Sequence, residues 1–578
     1  MRFIVIAALL CMLSSGANAV DETAKKELWA GTMDVGPRVF RFRIEAVTNE
    51  VGSAGKQLVS LDEGNQVFRL DEFFLDDANL KFARKISKAT YSGVLSDDGR
   101  TSIGKWAQAG NEFDLTFHKV DAIPVDQPAE IWSGTIDALF QKLTLRVRVY
   151  RQDDGTESVY FDSVSQKASG FKATRTIEAN QWTVDVASIG GTFKGTVTSA
   201  ASEVNGKWTQ GGVSLDLTLK PEKTMTDEAE TAPNRPQTPK PPFPYAVEEV
   251  TFPSRSEGIQ LAGTLTVPES SQPCRAVVMI SGSGPQDRDE TMLDHRPFWV
   301  IADHLSRHGI AVLRFDDRGT GASNGDFSTA TSEDFSDDVE GAFDLLAKNP
   351  GIAAESIGLI GHSEGGLISP MVAARRNEVA FVVLLAGPGV NGKEILLSQG
   401  QLILRAAGVA DESLLYHQRQ TQLAIIDTIL DAAPNASSET LVDAAMKRLA
   451  ELLPEESLSE ESVKATVNAG ISRMNTPWFR FFLTYEPATS LEMIKCPVLA
   501  INGERDVQVD PKLNLPGIAA ALEKGGNTHF RTIEFPAMNH LLQTCTTGGL
   551  NEYQSIEETI SPVALQTITD WITSANEL

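Results

Sequence analysis

The sequence predicts a doubly wound, mostly parallel α/β sheet with a helical cap insertion, preceded by two all-β repeat domains. From about residue 246 onward, continuous apolar runs alternate with helical stretches, as in strands covered on both faces. Between Leu385 and Pro497 lie about a hundred residues of helical character, far more than one connection needs. The N-terminal third repeats itself at an offset of 102 to 103 residues.

Residues 1–19 have the layout of an export leader. Arg2 supplies a positive start, Phe3 to Met12 is apolar but too short to span a bilayer, and Ala17-Asn18-Ala19 is a small-residue cleavage site. Cys11 sits inside the apolar stretch behind two leucines, a poor place for a lipid anchor. The expectation is a signal peptide cut after Ala19 and an exported protein, periplasmic or secreted. No later stretch is long and apolar enough for a transmembrane helix. The formal net charge of −26 repels phosphate backbones and makes nucleic acid a poor partner. Cys274, Cys496 and Cys545 are too few for a disulfide framework, and no Cys/His cluster has zinc-ligand spacing. Neither a metal nor a cofactor is expected.

Residues 20–121 and 122–221 form the two repeats. Trp29-Ala30-Gly31-Thr32 returns as Trp132-Ser133-Gly134-Thr135, and Gly104-Lys105-Trp106 returns as Gly206-Lys207-Trp208. Apolar residues alternate in Phe40-Arg41-Phe42-Arg43-Ile44 and in Leu143-Thr144-Leu145-Arg146-Val147, the period of half-buried antiparallel strands. Each copy is expected to be a small β-sandwich or open barrel. Its tryptophans read more simply as core than as a surface for sugar rings, although glycan binding or self-association through the repeats stays open. Residues 222–245 contain Pro233, Pro236, Pro239, Pro241, Pro242 and Pro244 and read as an extended linker that spaces the domains or docks them loosely.

Residues 246–578 form the α/β domain. Its predicted strands include Ala276 to Ile280, Ile310 to Phe315, Ile357 to Ile360, Phe381 to Leu385, Pro497 to Ile501 and Phe530 to Phe535. The helical insertion, about 391–490, is placed as a cap over the C-terminal strand edge, where ligands bind in such sheets. Gly361-His362-Ser363-Glu364-Gly365-Gly366 lies between a strand and a helix, the context of a nucleophile elbow. A serine hydroxyl needs a base, and the base needs an orienting acid. In the chain order Ser, Asp or Glu, His, Asp506 follows the strand ending at Ile501, and His540 follows the strand ending at Phe535. Ser363 is therefore the expected nucleophile, His540 the base and Asp506 its orienter, with Asp510 and Glu504 as rivals of Asp506. His529 lies before the last strand and His362 beside the serine, and neither is placed as the base. The oxyanion-hole N–H groups are expected from Glu364 and from Ser283, with Gly284 next, in the loop Ser281-Gly282-Ser283-Gly284-Pro285.

These residues resemble bacterial α/β-hydrolase esterases of the EstD type. The likeness rests on Gly282-Ser283-Gly284-Pro285-Gln286-Asp287-Arg288-Asp289, Leu313-Arg314-Phe315-Asp316-Asp317-Arg318-Gly319, Gly361 to Gly366, and Leu385-Ala386-Gly387-Pro388-Gly389-Val390, and runs from about 250 to the end. It implies a serine carboxylesterase for small ester substrates of short or medium acyl chain. One alternative is an aminopeptidase or amidase on the same fold, which would need cap acids to hold a substrate amine; the other is a cell-surface glycan-binding protein in which the β-repeats carry the main role. Glu455, Glu456, Glu460 and Glu461 are available there but sit at helix starts and read as solvated. The charged residues 286–289 and 316–318 read as a salt-bridged rim, and Trp478 to Tyr485 as cap packing or a pocket wall.

Overall fold

The computed structural model describes residues 25–574, apart from 37, 49–55, 61–65, 71, 77, 85–88, 109–110, 121–127, 139–140, 152–154, 167, 199–202, 211–212, 223–233, 435 and 454–459. The leader therefore lies outside the described residues, as do Glu455 and Glu456. The chain divides into two compact units, Met1–Ala229 and Glu230–Leu578.

In the first unit, one repeat contributes β1 (Lys25–Asp34), β2 (Val39–Thr48), β3 (Lys56–Ser60), β4 (Gln66–Arg69), β5 (Glu72–Leu75), β6 (Asn79–Arg84), β7 (Ala89–Leu95), β8 (Thr101–Gln108) and β9 (Asn111–Val120). The other contributes β10 (Glu130–Ala138), β11 (Gln141–Arg151), β12 (Glu157–Ser163), β13 (Ala168–Glu178), β14 (Gln181–Val186), β15 (Gly191–Thr198), β16 (Glu203–Gln210) and β17 (Val213–Glu222). The second repeat is a closed antiparallel barrel, and the first is the same sheet left open between β4 and β5. At the repeat offset, β13 corresponds to β4 and β5 together. Unbroken, β13 pairs with both β12 and β14. Closure in place of the expected sandwich or open barrel removes the exposed edges of the second sheet. Trp29, Trp106 and Trp208 are buried in the barrel interiors, with Phe42 stacked on Trp106 and Phe161 stacked on Trp208. Those indoles are core residues and present no face to a sugar. The two repeats touch through Arg38, whose guanidinium donates to the Ser169 carbonyl and lies between the rings of Phe40 and Phe171.

The second unit holds β18 (Tyr245–Pro253), β19 (Gln260–Pro268), β20 (Cys274–Ile280), β21 (Ile310–Phe315), β22 (Ile352–His362), β23 (Val382–Leu385), β24 (Val498–Gly503) and β25 (Phe530–Phe535). They form one sheet in the order β18-β19-β21-β20-β22-β23-β24-β25. The pairs from β21 through β25 are parallel, and the β18–β19 hairpin is antiparallel. Helices α1 (Pro297–Arg307), α2 (Ser332–Ala347), α3 (Gly365–Arg375), α10 (Pro511–Lys524) and α11 (Pro562–Ser574) cover its faces, giving two apolar cores, one on each side. Between β23 and β24 run α4 (Gly392–Ala406), α5 (Glu412–Asp431), α6 (Ser438–Leu452), α7 (Glu460–Met474), α8 (Pro477–Thr484) and α9 (Ala488–Leu491). Helices α4 to α8 bury their own cluster around Ile426, Ile429, Leu449 and Ile471. Among the described residues no helix is long and apolar enough to cross a membrane.

The proline-rich segment does not run free to residue 245. From Asn234 it lies on the α/β unit, held by Arg235, Gln237 and the Tyr245 hydroxyl, which donates to Asp303 at 2.6 Å.

Candidate active site

Strand β22 ends at His362, and the chain turns at Ser363 with φ of +51° before α3 begins at Gly365. A non-glycine residue in the left-handed region is strained and persists only where its surroundings fix it. Here they do. The Ser363 N–H donates to Leu385 at 2.9 Å, and its carbonyl accepts from Gly366 at 2.8 Å. The glycines around it are forced by contact: a Cβ on Gly365 would lie 2.1 Å from the Ile280 carbonyl oxygen, and one on Gly361 would lie 2.0 Å from that of Gly365. The turn at the serine thus needs glycine two residues before and two residues after it, where nothing larger than hydrogen fits.

His540 and Asp506 meet directly. His540 Nδ1 donates to Asp506 Oδ2 at 2.7 Å, both side chains being buried. The other carboxylate oxygen accepts the N–H groups of Gln508 at 2.7 Å and Val509 at 2.9 Å. Asp506 is therefore fully committed, and His540 keeps its Nε2 lone pair. The rivals serve elsewhere: Asp510 caps α10 and accepts from Ser398, while Glu504 accepts the Ala537 N–H. Ser363 is half-exposed, and the ring of its neighbour His362 lies 4.8 Å from the His540 ring. Among the described residues neither Ser363 Oγ nor His540 Nε2 makes a hydrogen bond, and such contacts commonly tighten only around substrate.

His362 does more than fill space. Its Nδ1 donates to Glu290 Oε1 at 2.8 Å and its Nε2 to the His540 carbonyl at 3.2 Å. Burial alone would lower its pKa, but the adjacent Glu290 carboxylate outweighs that, and the net displacement is upward. Glu290 Oε1 also accepts the Gly282 N–H at 2.6 Å. One buried carboxylate thus joins the turn at His362, whose ring also holds the His540 carbonyl, to the loop after β20. Sequence reasoning stopped at Asp289 and missed Glu290, because a single loop glutamate has no spacing that marks it.

That loop brings Gly282 against the serine; a Cβ there would lie 3.2 Å from Ser363 Cβ. The Gly282 N–H is taken by Glu290, whereas the N–H groups of Ser283 and Glu364 have no partner among the described residues. The charged rim follows the expected ion pairing. Arg288 grips Asp316 with two nitrogens and Arg318 grips Asp338 likewise, while Asp317 accepts from the Ser281 hydroxyl and the Gln286 N–H.

The Glu364 side chain is buried beneath the cap. Its Oε1 accepts from the Ser332 hydroxyl at 2.6 Å and from the Trp478 indole N–H on α8 at 2.7 Å. Burial pushes its pKa up to about 7, against the lowering effect of those two donors. Trp478 stacks on Phe482, so the aromatic stretch of the cap is fixed to the residue that follows Ser363.

Comparison with known proteins concerns the C-terminal part of the chain. A family model described as "Serine aminopeptidase, S33" matches residues 297–544. Esterase EstD of Thermotoga maritima is 28% identical over 283 residues, 49% of this chain and 58% of its own length. The chain thus aligns with a little over half of that relative. An esterase of Pyrococcus furiosus is similar at 16% identity, over 58% of this chain and 90% of its own, with a TM-score of 0.32. The α/β hydrolase GrgF of a Penicillium species is similar at 17% identity, over 58% of this chain and all of its own, with a TM-score of 0.34. The C-terminal part of the chain has the α/β-hydrolase fold and is similar to esterase EstD, and two all-β repeats precede it.

Proposed function

We propose that the protein is a serine carboxylesterase. The observation that carries this reading is the buried Asp506–His540 pair, joined at 2.7 Å, beside His362, whose neighbour Ser363 is held at φ of +51° on a strand-to-helix turn. His540 Nε2 takes the Ser363 proton as Oγ attacks the ester carbonyl, and Asp506 stabilises the imidazolium that forms. The N–H groups of Ser283 and Glu364 receive the oxyanion; removing one such donor typically costs about 3 kcal/mol in the transition state. The tetrahedral adduct collapses as His540 protonates the departing alcohol. Water then attacks the acyl-enzyme, with His540 again as base, and releases the acid. Short or medium acyl chains are the proposed substrates. The leader at residues 1–19 supports export to the periplasm or medium.

The description of the matching family favours a second reading, cleavage of an aminoacyl amide by the same groups. Hydrolysis of p-nitrophenyl esters from acetate to palmitate, beside aminoacyl p-nitroanilides, separates the two. Ester turnover that is lost in Ser363→Ala is the expected result. A folded wild-type protein that cleaves only the anilides would replace the esterase reading with the peptidase one.

A further inference from the structure

We propose that Arg235 is a positioning residue for this active site, and that residues 234–245 belong to the site's framework instead of acting as a spacer. The proposal rests on the serine-hydrolase reading above. The Arg235 guanidinium donates to three backbone carbonyls on two separate loops: Nη2 to Leu293 and Gln554, both at 2.9 Å, and Nη1 to Ile556 at 2.7 Å. Two residues on, Gln237 donates to the Ile560 carbonyl at 2.7 Å and accepts the N–H groups of Thr559 at 2.5 Å and Ile560 at 3.1 Å. The Thr559 hydroxyl is in turn 2.9 Å from Nδ1 of the fully buried His295.

Each loop leads to a group of the site. Leu293 stands three residues after Glu290, the carboxylate that holds Gly282 and His362. Gln554 follows Tyr553, whose buried hydroxyl accepts from the Gln508 side chain at 3.2 Å, and the Gln508 N–H is one of the donors that fix Asp506. One cation therefore ties the loop behind the oxyanion strand to the loop behind the acid.

The first loop needs such a tie. Glu290, Leu293 and Asp294 all have positive φ, at 52°, 51° and 65°. Three non-glycine residues in that region make a conformation that persists only when surrounding contacts impose it. A planar guanidinium with five N–H donors spans carbonyls on two loops, and a lysine ammonium, with its donors on one atom, does not.

The test uses the full chain with Arg235→Ala, Arg235→Lys, Gln237→Ala and, as a control, Lys240→Ala at an exposed position of the same segment. The readouts are the rate at which a fluorophosphonate labels Ser363, kcat per labelled site, KM, and Tm. Displacement of catalytic groups by about 1 Å costs up to about 100-fold, so Arg235→Ala is expected to slow labelling and kcat about 10-fold or more with KM within about twofold. Arg235→Lys should not restore the rate, Gln237→Ala should lose less, and Lys240→Ala should match wild type. Wild-type labelling and kcat in folded Arg235→Ala, with only Tm reduced, would overturn the proposal. Should that variant fail to fold, wild-type rates in both Arg235→Lys and Gln237→Ala overturn it equally. A folded wild-type protein that the probe does not label would instead sink the serine-hydrolase reading, and the proposal with it.

Discussion

At the scale of single residues, the site is a set of buried polar groups whose hydrogen bonds are nearly all spoken for, which leaves the free ones conspicuous. Asp506 has both oxygens occupied, so its effect is to fix the tautomer and orientation of His540. Asp506→Asn offers an amide where the imidazole N–H needs an acceptor, and kcat is expected to fall by about 1,000- to 10,000-fold while the protein stays folded, as circular dichroism and ester turnover would record. Glu364 gives a pH prediction. Its folded pKa, about 7, lies above the value of 4.5 for a free side chain, so the native state holds the proton longer than the unfolded one. Burial of this carboxyl is therefore neutral to stability below about pH 4.5, becomes costly as pH rises towards 7, and stays costly above it. Gln at this position keeps an acceptor for Ser332 and Trp478 without the charge. Relative to wild type, Glu364→Gln is expected to gain stability between those limits, on the order of 3 kcal/mol at most, and denaturant unfolding at pH 5 and pH 8 measures the gap. An equal gap at both pH values would contradict the buried charge. His362 has the opposite sign. Its raised pKa stabilises fully below its ordinary value of 6.5 and loses that contribution as pH climbs through the folded value, so His362→Gln should flatten this limb of the stability profile.

Among the elements, the parallel strands, the cap helices and the elbow were legible in the sequence because each carries its own local signal. Strands β20 to β24 carry continuous apolar runs, and α4 to α6 lie inside the predicted helical insertion, each capped at its N-terminus by a side chain, Asn391, Asp411 and Ser437. Strand β18 was not legible: of its nine residues only Tyr245 and Phe252 are buried, which leaves no period to read. Barrel closure also escaped, since it depends on β10 meeting β17 from Ile131↔Glu222 to Ser133↔Lys220, a pairing that spans the whole repeat. Arg235 acts on backbone carbonyls far away in the chain and Glu290 on the distant His362 ring, and such bonds leave no pattern around the residue. The tie between α8 and the elbow belongs to this scale as well. Trp478→Phe keeps the ring packing and removes the N–H that Glu364 accepts. A hydrogen bond to a charged group is worth about 1.5–3 kcal/mol and one to a neutral group about 1, so the variant should lose more stability at pH 8 than at pH 6. Equal losses would show that the indole N–H does not sense the charge of Glu364.

For the whole molecule, the formal net charge is −26, while the charges of the site itself are mostly paired. An excess of this size leaves the fold unspecified but sets the field through which a substrate approaches. A neutral ester meets no net force, while an ester with a carboxylate or sulfonate on its alcohol side is repelled before it reaches Ser363. Salt shortens the range of that repulsion from about 30 Å at 0.01 M to about 8 Å at 0.15 M ionic strength. The kcat/KM for the anionic ester is therefore expected to rise severalfold over this range, with kcat itself unchanged, while the neutral ester with the same acyl group stays level. Stopped assays at a series of salt concentrations with the two esters side by side measure this. An equal salt response for both would mean that the acidic residues lie away from the approach to the cap. A response confined to kcat would place the effect of salt on the chemical step, among the rim ion pairs of Arg288, Asp316, Arg318 and Asp338.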